Sequence, residues 1–145
     1  MKKVKTSVLM FFICLITMNV NAQLTNTKWK GIANVPMPSE CLFDFKNDTV
    51  LMKYVGNDPI DLRNELGNMV TVTGKDSMVI ETMTYQFTGD TLILQKVKGG
   101  SPCDNETIGK YRIAIKDKKL LISLIADDCE ARVQAWPADS LIQID

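Results

Sequence analysis

Short apolar–polar alternations run along most of the chain, and turn-forming residues break them at close intervals. In Cys41-Leu42-Phe43-Asp44-Phe45 the cysteine and both phenylalanines fall on one face, with Leu42 and Asp44 on the other, which is the period of a half-buried strand. The same reading predicts strands over Thr27 to Ala33, Cys41 to Phe45, Thr49 to Val55, Met69 to Thr73, Ser77 to Phe87, Thr91 to Val97, Gly109 to Lys116, Lys119 to Ile125 and Glu130 to Trp136. Lys46-Asn47-Asp48, Gly74-Lys75-Asp76, Thr88-Gly89-Asp90 and Asp117-Lys118 supply the turns between them. The strand over Ser77 to Phe87 is long enough to bend near Glu81-Thr82. The pattern changes once: Asp58 suits a helix cap, Pro59 the first helical position and Gly67 the residue past the end, predicting a short helix over Pro59 to Leu66.

These elements predict an all-β fold, an antiparallel up-and-down meander closed into an eight- or nine-stranded barrel, with one short helix near 59–66. Closure is attractive because it removes the edges that an open meander exposes. Three segments, Val50 to Val55, Met78 to Met83 and Leu120 to Ile125, carry apolar residues on both faces. Either the segment Pro137 to Ile144 covers one outer face, or an exposed patch serves a partner.

The first residues depart from this pattern. Lys2, Lys3 and Lys5 precede an uncharged apolar stretch from Val8 to Met18, and Val20-Asn21-Ala22 ends in small residues. The stretch is too short to span a bilayer and has the layout of a bacterial secretory leader. The expected division is a signal peptide over 1–22 and a barrel domain over 23–145, exported to the periplasm or outside the cell, with no stable membrane insertion after cleavage. Phe11-Phe12-Ile13 are too bulky for Cys14 to serve as a lipid-attachment site. The sequons at Asn47 and Asn105 read as polar turns.

Charge narrows the partners. The chain balances 17 basic against 17 acidic residues, and residues 1–22 hold three lysines and no acid, so the remainder carries 14 against 17. A net acidic domain is a poor match for nucleic acid or an anionic membrane. The chain contains 0 histidines, which removes the commonest general base and metal ligand. A non-catalytic protein without metal or cofactor is therefore expected. Glu40, Asp44 and Glu81 are the carboxylates that fall within strand patterns. The acidic run Asp127-Asp128-Cys129-Glu130 reads as a solvated loop, since it lacks the spacing of a calcium loop. Lys96 and Arg112 read as surface charges.

Cys41, Cys103 and Cys129 lie beyond the leader, so one bridge forms at most. Extending the register of the hairpin turned at Asp117-Lys118 brings Cys103 within reach of Cys129. A bridge there would be worth about 3 kcal/mol. Cys41, on the Phe43/Phe45 face, reads as a small buried hydrophobe.

With Leu24-Thr25-Asn26-Thr27-Lys28-Trp29 at one end, Cys129-Glu130-Ala131-Arg132 at the other and the meander between, the chain resembles the lipocalin-like barrels, particularly small secreted bacterial ones. In that family a Gly stands two before the first-strand Trp, and an Arg on a late strand lies over it at the closed end. Trp29 and Arg132 match the last two positions, and Thr27 replaces the Gly. The resemblance implies that Arg132 stacks on Trp29 as a structural latch, worth about 0.5 to 2 kcal/mol.

A barrel interior lined by Phe43, Phe45, Met52, Tyr54, Tyr111 and Ile113 would suit a small hydrophobic or amphipathic ligand, with tyrosine hydroxyls to orient it. The same side chains could fill a solid barrel. Met37, Met52, Met69, Met78 and Met83 could form an adaptable pocket wall. The leading expectation is ligand binding without chemistry. The alternative is a solid barrel that binds a protein, such as a protease inhibitor or envelope accessory protein, through the loops at Asn34 to Ser39 and Gly99 to Asn105.

Overall fold

The computed structural model describes residues 23–35, 37–63, 68–137 and 139–145; the expected leader lies outside them. Eight antiparallel strands close into a barrel. They are β1 (Thr27–Asn34), β2 (Pro38–Phe45), β3 (Thr49–Tyr54), β6 (Val79–Thr88), β7 (Thr91–Gly99), β8 (Ile108–Lys116), β9 (Lys119–Ala126) and β10 (Leu141–Ile144). Around the wall the order is β1-β10-β9-β8-β7-β6-β3-β2. This closed eight-stranded wall is compatible with a lipocalin-like fold. A separate hairpin, β4 (Ile60–Arg63) with β5 (Met69–Val72), stands outside the wall between β3 and β6.

The two ends of the barrel differ. At the plain end the turns are tight: Lys46 N–H donates to the Thr49 carbonyl, and Asp117 and Lys118 both take positive φ, the backbone a two-residue hairpin turn requires. The segment before β1 closes this end. Leu24 is fully buried, and Thr27 Oγ1 donates to its carbonyl at 2.5 Å while accepting the Trp29 Nε1–H at 2.7 Å. The hydroxyl of Thr27 thus satisfies the buried indole. Tyr85 donates to the Lys46 carbonyl and packs edge-on against Phe45, ring centres 5.4 Å apart.

The opposite end carries the longer connections: the β1–β2 turn, the β4–β5 excursion, the loop 100–107 and a short helix α1 (Glu130–Ala135). Two expectations fail here. Residues 60–63 form strand β4 instead of a helix, because Ile60 and Leu62 pair with Val72 and Val70, and tertiary pairing overrides the capping signals; residues 64–66 of the expected helix lie outside the described residues. Glu130 to Trp136, expected as the last strand, instead forms α1 over Glu130–Ala135 with Trp136 just past its end, and the final strand is β10. This single short helix, in which Gln134 Nε2 donates to Glu130 Oε1 one turn back, brings Trp136 inward. It stacks on Phe43 at 5.0 Å and meets Tyr111 edge-on at 5.8 Å.

Barrel closure at β10 is short. Leu141 and Ile142 pair with Leu120 and Lys119 of β9, and Lys28 to Lys30 of β1 pair with the other edge of β10. Further toward the elaborated end, Leu121 to Leu124 and Ala126 pair only with β8, Ile125 being skipped by a bulge, and Gly31 to Asn34 pair only with β2. Residues 136, 137, 139 and 140 have no strand pairing among the described residues. Pro137, with no N–H to give, is suited to stop β10 from extending there.

The bend expected near Glu81-Thr82 is a β-bulge between Thr82 and Met83. Cys103 and Cys129 form a disulfide with Cα atoms 5.5 Å apart, across the end of the β8–β9 hairpin whose register located them. Cys41 is free and buried; burial foremost, then the Glu40 charge, push its thiol up to about 12.

Candidate functional site

A cavity of about 320 Å³ opens at the elaborated end. Its apolar wall comes from Met52 of β3, Ile80 and Met83 of β6, Val35 after β1, and Leu62 and Met69 of the β4–β5 hairpin. The bulge in β6 changes which way its residues face, so that Ile80, Glu81 and Met83 all border one space. The hairpin roofs that space from outside, and Ala131, Arg132 and Ala135 of α1 close it from the other side. The disulfide ties the loop carrying Ser101 and Pro102 to the start of α1, so the cavity rim is held covalently.

Two buried charge clusters border it. In the first, Glu81 accepts from Ser101 Oγ at 2.7 Å and from Ser101 N–H at 3.3 Å, with Lys96 Nζ 4.0 Å away. Lys96 also donates to the carbonyls of Ser101 and Cys103 at 2.6 and 3.1 Å. The Lys96 side chain is therefore largely covered, not the surface charge expected; its ammonium holds the loop back over β7. Burial raises the Glu81 carboxyl above its ordinary range, offset in part by the Ser101 hydroxyl and the Lys96 charge. Gly99 makes this cluster possible. Its φ is +143°, and a Cβ there would stand 2.1 Å from Glu81 Oε2. Gly99→Ala is expected to cost about 2 to 3 kcal/mol from strain and displacement of the carboxylate, seen as a lower urea midpoint with an unchanged slope.

In the second cluster Arg132 grips Asp127 side-on: Nε to Oδ2 at 2.5 Å and Nη2 to Oδ1 at 2.7 Å, with Nη2 also reaching the Thr107 carbonyl at 3.0 Å. Tyr111 donates its hydroxyl to Asp127 Oδ2, and Cys129 N–H to Oδ1 at 2.8 Å. Burial acts to raise the Asp127 carboxyl, but the Arg132 and Tyr111 hydrogen bonds outweigh it and hold the group below the usual carboxylate range. The Tyr111 hydroxyl is pushed up, by burial first and then by Asp127. Asp127 is thus the buried anchor of α1, not part of a solvated loop. Arg132 is 4 % exposed, and its Nη1 has no hydrogen-bond partner among the described residues.

Arg132 and Trp29 stand at different ends of the barrel. Arg132 lies in α1, whose Gln134 carbonyl receives the Asn34 side chain at the far end of β1. Trp29 is five residues back along that strand, about 17 Å at the rise of a strand. The indole is held by Thr27 and the guanidinium by Asp127, so no stacking joins them.

Of the six side chains expected to line a ligand site, Met52 borders the cavity. Phe43 and Tyr111 are covered by Trp136. Phe45 and Ile113 are buried in the core, Phe45 against Tyr85, and Tyr54 is buried with its hydroxyl on the Asp58 carbonyl. Met69 and Met83, named with Met52 as a possible pocket wall, do line the cavity, whereas Leu62, Ile80 and Val35 gave no such signal. Asp44 is buried between Lys46 and Lys53, at 2.8 and 3.1 Å, and Glu40 pairs with Lys30. Neither approaches Glu81 as a catalytic partner. Arg112 is exposed beside Asp90. Among the described residues, no group of acidic, cysteine or histidine side chains has the arrangement of a metal site, and no helix is long and apolar enough to cross a membrane.

No family model, curated protein or solved structure matches the chain. The cavity and its two charge clusters must therefore be read from their own chemistry. That chemistry is a concave apolar wall with a few fixed polar groups at one side, and its volume falls in the range of small-molecule sites.

Proposed function

We propose that this protein is an exported, non-catalytic barrel that binds a small amphipathic molecule at its elaborated end. The observation that carries the reading is the cavity itself. Six apolar side chains, three of them methionines, leave about 320 Å³ in a domain whose interior is otherwise filled by side chains such as Phe43, Trp136 and Tyr111. A concavity with this apolar lining leaves hydrophobic surface in contact with water, and an apolar ligand would remove it.

The polar side of the cavity favours an amphipathic ligand over a purely apolar one. Arg132 borders the space, and its Nη1 has no hydrogen-bond partner among the described residues; a ligand carbonyl or carboxyl would complete it. Glu81, with its carboxyl raised, can meet a hydroxyl. Three thioethers, from Met52, Met69 and Met83, give a wall that adapts to more than one ligand shape. The disulfide and the leader-like first residues support an oxidising compartment outside the cytoplasm. An alternative, a barrel that binds another protein, draws on one observation: Leu121, Ile125, Ile32 and Ile142 remain exposed on the outer wall.

The test is a titration of the purified protein with an apolar fluorescent probe, repeated on Met83→Trp. The wild type is expected to saturate at one site, and the indole to fill the space and weaken binding by about tenfold or more while the thermal midpoint is kept. Probe binding that is absent, or equal in the two proteins, would sink the proposal.

A further inference from the structure

We infer that the cavity takes a neutral acyl compound bearing a carbonyl and a free hydroxyl, the chemistry of a medium-chain monoacylglycerol, and rejects the corresponding fatty-acid anion. This rests on the cavity being a small-molecule site and adds the class of molecule that fits it. Charge balance supplies the first argument. Among the described residues, the charged side chains bordering the cavity are the acids Asp61 and Glu81 and the arginines Arg63 and Arg132. Behind them stand one further anion, Asp127 on Arg132, and one further cation, Lys96 at 4.0 Å from Glu81. The wall is balanced before a ligand arrives. A carboxylate head would give up its water and bring an unpaired charge into an apolar space that Glu81 already borders. A neutral head does neither.

The guanidinium of Arg132 separates a carbonyl from a carboxylate. A carboxylate is captured by two parallel N–H groups on one edge of the fork. Nε and Nη2 are both given to Asp127, and Nη2 spends its second hydrogen on the Thr107 carbonyl. Neither forked edge is therefore open to a second carboxylate. Asp127 does not border the cavity whereas Arg132 does, and in the planar group Nη1 lies on the side turned from the Nε–Nη2 edge. Nη1 has no hydrogen-bond partner among the described residues. One nitrogen suits one acceptor, a carbonyl oxygen.

Glu81 supplies the place for the hydroxyl. An ionised carboxylate offers about four acceptor positions, and Ser101 uses one on each oxygen: Oγ donates to Oε1 at 2.7 Å and N–H to Oε2 at the longer 3.3 Å. Acceptor capacity is left over. A hydroxyl both donates and accepts, so it matches Glu81 ionised or, with its carboxyl raised by burial, protonated. An acyl chain lies against Met52, Met69, Met83 and Ile80, its length bounded by about 320 Å³, the lower end for small-molecule sites.

Displacement of the apolar fluorescent probe by monodecanoylglycerol, methyl decanoate and sodium decanoate tests this at about pH 8, where the free acid is ionised. Monodecanoylglycerol is expected to compete best. Methyl decanoate, which lacks the hydroxyl, should be weaker by roughly threefold or more, and decanoate by about tenfold or more. Glu81→Gln removes the neighbouring negative charge and keeps the shape, so decanoate should gain on monodecanoylglycerol by about fivefold. Should that variant not fold, the order of the three compounds on the wild type decides alone. Decanoate competing as well as monodecanoylglycerol, or a preference that folded Glu81→Gln leaves unchanged, would overturn the inference while the site itself stands. A probe that never binds would instead overturn the small-molecule reading, and the inference with it.

Discussion

Asp127→Ala is expected to destabilise the protein by about 3 to 5 kcal/mol, the cost of leaving a buried guanidinium without its anion. Arg132 and Asp127 are buried together, and the carboxylate also holds the Tyr111 hydroxyl and the Cys129 N–H at the start of α1. Losing it therefore frees the helix as well as stranding a charge. The double variant Asp127→Ala/Arg132→Met should lose less than Asp127→Ala alone, because no buried charge remains to be solvated; equilibrium urea unfolding of the two singles and the double closes the cycle. Equal losses in Asp127→Ala and the double would show that the guanidinium is not stranded.

The pH dependence follows the same pair. Asp127 and Asp44 both have folded-state carboxyls below their ordinary value. Their stabilisation is present above the unfolded aspartate value of about 3.9 and is lost as pH falls through the lower folded values. Glu81 is raised instead, so its contribution is full below the unfolded glutamate value of about 4.3 and declines as pH rises through the folded one. Stability should thus fall steeply in strong acid, and less so in Asp127→Asn.

Replacing Cys103 and Cys129 by alanine is the second large effect, expected at about 3.5 kcal/mol from a bridge spanning 26 residues. It differs from Asp127→Ala in kind. The bridge constrains the unfolded chain, while the loop bearing Ser101 and Pro102 also loses its tether to α1. The variant should unfold at lower urea and bind the apolar probe more weakly even where it is fully folded. An unchanged affinity would mean that the rim of the cavity holds its shape without the bridge.

The barrel strands were legible in the sequence because their signal is local: an alternating run, a turn residue, another run. The disulfide followed from the same logic, since a two-residue turn at Asp117-Lys118 sets a register that counting can extend. Where the reading failed, distant contacts decide the outcome. Ile60 and Leu62 carry capping residues before them, yet pairing with β5 makes them a strand. Glu130 to Trp136 has a pattern that fits strand or helix, and the Arg132–Asp127 fork together with the inward Trp136 selects the helix. That fork also moved Arg132 to the end of the barrel opposite Trp29, which no spacing in the chain announces.

The candidate site was legible only through its methionines. Phe43, Tyr54 and Tyr111 have the composition of a ligand wall, but Trp136 occupies the centre of the barrel and displaces the cavity outward, beneath the β4–β5 hairpin. A hairpin outside the wall cannot be foreseen from a meander pattern, and Leu62 and Ile80 acquire their place in the site from it. Glu81 was visible as a carboxylate on a strand, without its partners Ser101 and Lys96, which reach it across a loop folded back by the bridge.

The most direct measurement of the ligand-binding reading follows the methyl resonances of the methionines in a protein labelled at those groups, titrated with the apolar probe. Met52, Met69 and Met83 border the cavity from β3, β5 and β6, so all three are predicted to shift together and saturate at one equivalent of probe. Saturation that leaves these three methyls unmoved would contradict binding at this end of the barrel.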